Sequence, residues 1–287
     1  MKRYLIAAVV SASLSVAAFA QDRFADVEIK TTEVVDDIYM LEGAGGNIGL
    51  CVGEDGPFVI DDQFAPLAEK ILAAIGSVTD RRVRYVLNTH HHGDHTGGNE
   101  PMSGAGATIV AHENVRKRIE EAGDRDEAAL PVITFSESVT FHWNGHEILV
   151  RHVPPAHTDG DSIVFFVDAN VVHMGDVFFN GAFPYVDLGG GGDLDGYIAA
   201  QETVLSVIDD ETKIIPGHGP MATKADLQKI NDMIKDVRTR IQAAIDEGKS
   251  EDETVEADPL ADLSEQYGQG FIDGERITRI AYQSLTR

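Results

Sequence analysis

Thiols are almost absent from this chain: Cys51 is the single cysteine in 287 residues. That excludes an internal disulfide and any thiolate-rich metal cage, leaving histidine, of which there are 11, as the soft ligand. Basic residues are scarce too, 23 Lys and Arg against 48 Asp and Glu, for a formal charge of −25. A surface this acidic repels a phosphate backbone and lacks the counterion release that drives most nucleic-acid binding. A polynucleotide substrate is therefore not expected. Long apolar runs are missing beyond the N-terminal stretch, where none reaches the roughly 18 to 20 residues of a spanning helix. Apolar residues still make up 43%, a globular rather than disordered or fibrous composition.

The N-terminus reads as an address. Lys2 and Arg3 precede an apolar run from Tyr4 to Val16, and Ala18-Phe19-Ala20 follows with the pattern of a cleavage site. Residues 1–20 are expected to be a secretory signal, with cleavage near Ala20-Gln21 and a periplasmic or secreted product without a stable membrane anchor. A lone cysteine suits such an oxidising compartment if it is buried. Residues 21–287 show no internal repeat and no shift in composition that would mark a second catalytic unit. One domain with a helical tail is expected there.

Short apolar runs bounded by Gly, Pro, Asn or Asp predict strands at Ile38–Leu41, Ile48–Val52, Phe58–Ile60, Val83–Leu87 and Thr108–Ala111. The series continues at Val139–Trp143, Ile148–Val153, Ile163–Val167, Val171–Met174 and Lys213–Ile215. Helices are predicted over Phe64–Ile75, Glu113–Ala122 and Tyr197–Ile208. Thr223 and Asp226 have capping-box spacing, and Leu227, Ile230, Ile234, Val237, Ile241 and Ile245 form one apolar face of a long helix. Acidic Glu247–Asp258 reads as a solvated linker, and Ile277–Leu285 as a last short helix.

The chemistry concentrates where strands end. His90-His91-His92-Gly93-Asp94-His95 follows the strand Val83–Leu87 directly. Alternate residues His90 and His92 point the same way from an extended segment, and Asp94 and His95 address a second position after the turn at Gly93. Three later strands run into His157, Asp176 and His218, each fixed by neighbouring Pro or Gly. Imidazole and carboxylate are the donors a borderline metal such as zinc accepts when thiolate is missing. His91 is expected to face away and lie exposed. His112 is expected to cap a helix, and His142, His146, His152 and His173 to be structural.

His90-x-His92-x-Asp94-His95, followed in order by His157, Asp176 and His218, resembles the metallo-β-lactamase superfamily, over roughly Val34 to Pro220. The resemblance implies an α/β fold, a four-layer αββα sandwich with C-terminal helices and metals at one edge of two sheets. It implies two Zn²⁺ per chain: one held by His90, His92 and His157, the other by Asp94, His95 and His218, with Asp176 bridging. Water acidified by zinc would attack an acyl carbon, and Asp94 would be the catalytic residue that orients it. Redox di-iron members usually carry Glu where His92 stands, which favours zinc. Iron-dependent persulfide dioxygenases share many of these positions and stay open as an alternative, as does a non-catalytic metal or ligand binder.

The substrate is expected to be a small molecule with a β-lactam, lactone or thioester bond. Lactamase subclasses with a cysteine ligand have it where Asp176 stands, often with a substrate-gripping lysine three residues later; here that place is Phe179. The bridging Asp and Gly217-His218-Gly219-Pro220 look more like glyoxalase II and related hydrolases. Lys235, Arg238 and Arg240 of the tail helix read as a solvated face. Gly43–Gly46 and Gly189–Gly192 are turns or flaps beside the pocket. Oligomeric state is not legible.

Overall fold

β-Branched and aromatic runs separated by turn residues fill the first two-thirds of the chain, so strands dominate there. The computed structural model describes residues 23–123 and 125–287, so the expected signal at 1–20 lies outside the described residues. One sheet has seven strands in chain order: β1 (Lys30–Val35), β2 (Ile38–Glu42), β3 (Ile48–Cys51), β4 (Phe58–Ile60), β5 (Tyr85–Asn88), β6 (Thr108–His112) and β7 (Ile133–Phe135). β1 to β4 pair antiparallel through tight connections, and β4 to β7 pair parallel. Parallel neighbours need crossovers. Helices α1 (Ala68–Gly76), α2 (Gly93–Thr96), α3 (Asn99–Gly104) and α4 (Glu113–Ala122) lie in them.

The second sheet holds β8 (Ser138–Trp143), β9 (His146–His152), β10 (Ser162–Phe166), β11 (Val171–His173) and β12 (Lys213–Ile215), in the order β12-β11-β10-β9-β8. Its neighbours are antiparallel except for the parallel pair β11–β12. The period of two decides which side chains meet. Ile148 and Val150 of β9 and Val164 and Phe166 of β10 pack into the seam against Ile38, Met40, Phe58 and Ile60 of the first sheet. Ile163, the residue before Val164, faces the helical layer instead.

Ile71 and Ile75 of α1 and Met102 of α3 cover the outer face of the first sheet. The second is covered by α5 (Leu194–Val207), α6 (Lys224–Asp246) and, at the C-terminus, α9 (Gly274–Leu285). This is the expected αββα sandwich. Thr223 and Asp226 form the capping box of α6, whose Leu227, Ile230, Ile234, Val237 and Ile241 are all buried. Each such side chain contributes about 1.5 to 3 kcal/mol through burial. Among the described residues no helix is long and apolar enough to cross a membrane.

Residues 247–258 are not the solvated linker that their acidity suggested. They contain α7 (Glu251–Glu256), started by a second capping box between Ser250 and Glu253. Acidic side chains in a first turn favour a helix by meeting its positive end. Arg279 of α9 then ties Glu251 and Asp252 down at 3.0 and 2.8 Å. A further short helix, α8 (Ala261–Tyr267), precedes α9.

At the N-terminal end of β9, His146 joins the two sheets. Its Nε2 is 2.9 Å from Asp37 in the β1–β2 turn and its Nδ1 is 2.6 Å from Asp168 after β10.

Candidate metal centre

The opposite end of the strands carries the chemistry. β5 runs into His90 and the one-turn helix α2, while β9, β11 and β12 run into the loops that hold His157, Asp176 and His218. His92 occupies the N-cap position of α2 in extended backbone, and the turn brings the amide of His95 onto the His92 carbonyl at 3.0 Å. That turn redirects Asp94 and His95 away from His90 and His92. The first sheet thus supplies four donors and the second three.

All seven residues expected as ligands come together. His90, His92, His157 and Asp176 present donor atoms within 4.8 Å of one another, and so do Asp94, His95 and His218. The Asp176 carboxylate stands between the groups. Its Oδ2 lies 3.7 Å from His90 Nε2 and 3.4 Å from both His157 Nε2 and His218 Nε2. Its Oδ1 lies 3.1 Å from His95 Nε2. His90, His95, His157 and Asp176 form a buried floor, whereas Asp94 and His218 are half-buried and face a cleft, 3.3 Å apart.

Partners behind the histidines fix which nitrogen carries the proton. His95 Nδ1 donates to Asp61 Oδ2 at 2.7 Å, and His157 Nδ1 to the Tyr185 carbonyl at 2.6 Å. His92 Nε2 donates to Asp187 Oδ2 at 2.9 Å. Thr89 Oγ1 donates to Asp61 Oδ2 at 2.8 Å and so accepts from His90 Nδ1 at 3.1 Å. Every remaining imidazole lone pair of these four points inward. His92 Nδ1 and His157 Nε2 then face each other as two acceptors 2.9 Å apart, and buried His90 Nε2 has no hydrogen-bond partner. Orphaned buried acceptors cost about 1 to 3 kcal/mol each, and a divalent cation satisfies them together. The residues fit a His/Asp metal site.

Burial holds His90 well below its usual pKa and His157 down at about 3, so both are neutral and ready to ligate. Burial also opposes charge on His95 and His218, but carboxylates outweigh it. Asp176, Asp61 and Asp94 hold His95 well above the usual range, and Asp176 and Asp94 lift His218 to about 9. Asp176 stays ionised despite burial because His95, His218 and His90 surround it.

Two glycines make room. A Cβ on Gly46 would stand 2.1 Å from His95 Cε1, and one on Gly217 would stand 2.1 Å from Asp176 Oδ1. The Gly43–Gly46 loop therefore packs against the site, and Gln63 holds it by donating to the Gly46 carbonyl at 2.7 Å. The Gly189–Gly192 loop is tied down as well: Gly190 and Gly192 amides donate to Asp187. It folds over His91, which is only 17% exposed beside Asp187 rather than the exposed residue expected. His112 caps α4 and stacks on His152 at 3.7 Å, and buried His173 lies 3.1 Å from the Asn47 carbonyl, all structural as anticipated. Asp61 and Asp187 were not foreseen. Asp61 follows β4 just as the other donors follow their strands; Asp187 has no such signal. Lys235, Arg238 and Arg240 pair with Glu202, Asp195, and Asp236 with Asp262, consistent with a solvated face.

A family model for the metallo-beta-lactamase superfamily matches residues 42–218, the segment that carries every one of these donors. The chain belongs to that superfamily. Among relatives, a hydroxyacylglutathione hydrolase from Pelagibacter ubique is 28% identical over 144 residues, 47% of this chain and 52% of that one. Another, from a Polaromonas species, is 32% identical over 163 residues, 53% and 55% of the two chains. The chain spans about half the length of the curated relatives it matches. A solved metallo-beta-lactamase from Pontibacter korlensis has the same superfamily fold, with TM-score 0.64 and 18% identity over 72% of this chain and 99% of that one.

Proposed function

We propose that this superfamily member is an exported dinuclear zinc hydrolase that cleaves an acyl bond in a small molecule, a β-lactam, lactone or thioester. The observation that carries the reading is the pair of donor groups joined by Asp176. His90, His92 and His157 would hold one ion, Asp94, His95 and His218 the other, with Asp176 between them. Two such ions supply Lewis acidity, making water acidic enough to act near pH 7 and polarising the acyl carbonyl.

The side chains do the rest. Asp94 opens onto the cleft with Oδ2 near His218 Nε2 and His95 Nε2, at 3.3 and 3.7 Å, and its pKa is lowered, burial notwithstanding, by His95 and His218. It is an ionised acceptor that orients the attacking water and takes its proton. Asp61, Asp187 and the Tyr185 carbonyl hold the imidazoles in one tautomer throughout. Relatives named as hydroxyacylglutathione hydrolases support the thioester branch of this reading. Metal analysis of protein from its native host should give about two zinc per chain, and Asp94→Asn should lower kcat at least a hundredfold on any substrate turned over. One iron and no zinc would overturn the reading.

A further inference from the structure

The cleft before Asp94 and His218 encloses about 690 Å³, and its walls are one-sided in chemistry. Beyond the candidate ligands they are formed chiefly by Phe64, Phe179, Phe183, Tyr185, Phe271 and Ile272. Among the described residues no lysine lines it. Arg23 is its one arginine, with the guanidinium 5.0 and 5.7 Å from the ring centroids of Phe24 and Phe64.

Phe271 is 75% exposed, yet it is held in place. Its ring meets Tyr185 edge-on at 6.1 Å, Arg276 lies 5.2 Å from the ring, and Arg276 also donates to the Phe271 carbonyl at 2.9 Å. Across the cleft Phe179 stacks on His218 at 4.9 Å and 16°. Phe64, after β4, completes the surround. An apolar ring fixed in water at the mouth of a polar centre gains by being covered. The doubly carboxylated glutathione moiety, by contrast, finds a chain of formal charge −25 and, apart from Arg276 against the Phe271 ring, one arginine in the cleft wall.

Resting on the hydrolase reading above, the geometry points to an uncharged acyl thioester, ester or lactone whose aromatic or medium-length alkyl group sits among Phe64, Phe179 and Phe271. Its carbonyl faces Asp94 and His218. In hydrolysis of the thioester, the water oxygen bonds to the acyl carbon and the C–S bond breaks. One water proton reaches the thiol, by way of Asp94, and the acid loses the other to solvent.

The test uses zinc-loaded protein with acetyl, hexanoyl and decanoyl thioesters of N-acetylcysteamine beside S-lactoylglutathione. Values of kcat/KM should climb about threefold to fourfold for each early methylene, the equivalent of burying it. The decanoyl ester should exceed S-lactoylglutathione at least tenfold. Phe271→Ser should lower the decanoyl-to-acetyl ratio about tenfold, and Phe271→Leu should restore most of it. A ratio flat in chain length, or unmoved by Phe271→Ser, overturns the proposal. Calorimetric titration with the non-hydrolysable decyl thioether of N-acetylcysteamine separates the two readings. If no thioester turns over, the thioester branch of the hydrolase reading fails. The apolar site then stands if the thioether binds about tenfold more weakly to Phe271→Ser, and falls if it does not bind or binds both equally.

Discussion

His95 Nδ1 and Asp61 Oδ2 stand 2.7 Å apart, both side chains fully buried, and the same carboxylate accepts from the backbone and hydroxyl of Thr89. One residue after β4 thereby orients His95 directly and His90 through Thr89. Asp61→Asn keeps the volume but replaces an acceptor with a donor on one side. Metal affinity should fall about 10- to 100-fold, read by competition with a chromophoric chelator. Unchanged affinity would remove Asp61 from the site.

Protons and cations compete for the same lone pairs. Buried His157 stays neutral down to about pH 3, whereas His218, despite burial, is lifted to about 9 by Asp176 and Asp94 in the metal-free chain. Below pH 9 His218 therefore carries a proton that a cation must displace, and His157 does not. Dialysis at falling pH should empty the Asp94–His95–His218 position first, with a plateau near one ion per chain before the second is lost. Loss of the first ion from the His90–His92–His157 position would contradict this order.

His146 between Asp37 and Asp168 gives a separate dependence on pH. Partial burial opposes its charge, but both carboxylates raise its pKa above the usual value. A raised pKa means a contribution that is full below about pH 6.5, the unfolded value, and lost as pH rises through the folded one. His146→Ala should cost about 0.5 to 1 kcal/mol at pH 6 and much less at pH 9. Denaturant titrations at the two pH values check it; an equal cost at both would assign the effect to packing.

Cys51 is fully buried on β3, and burial pushes its thiol up to about 12. Only the thiolate reacts. The native protein should leave a disulfide reagent such as dithionitrobenzoate unconsumed at pH 8, and release one equivalent once denatured. Rapid reaction of the native chain would show that β3 opens.

Gly46→Ala places a methyl group 2.1 Å from Cε1 of the His95 ring, which Asp61 holds at Nδ1. The loop must retreat or the imidazole must turn. Metal content should drop by about half or more while circular dichroism stays close to wild type.

The donor residues were legible because their sequence pattern is local: His90 to Asp94 and His95 share one strand end, and His157, Asp176 and His218 each follow an apolar run with Pro or Gly beside them. The strands were legible for the same reason, and β4 and α4 have the bounds their residues suggested. What escaped lacks a local hydrophobic signal. β1 is an edge strand of mostly polar residues, and β7 is three residues long. α7 is mostly acidic and owes its start to the Ser250–Glu253 cap. Asp187 sits in a loop and gains its role from His92, 95 residues away in the chain. The aromatic cleft depends on α8 and α9 folding back, a long-range event that no short window of sequence carries.

The donors are split between the two sheets, four from the first and three from the second, so neither half of the chain holds the full set. Any cation gripped by His92 and His157 together exists only once the halves have docked. Metal uptake is then a reporter of completed folding, and its free energy acts as a clasp across the seam. A chain stalled with one sheet formed would stay chemically silent rather than become a partial, indiscriminate hydrolase.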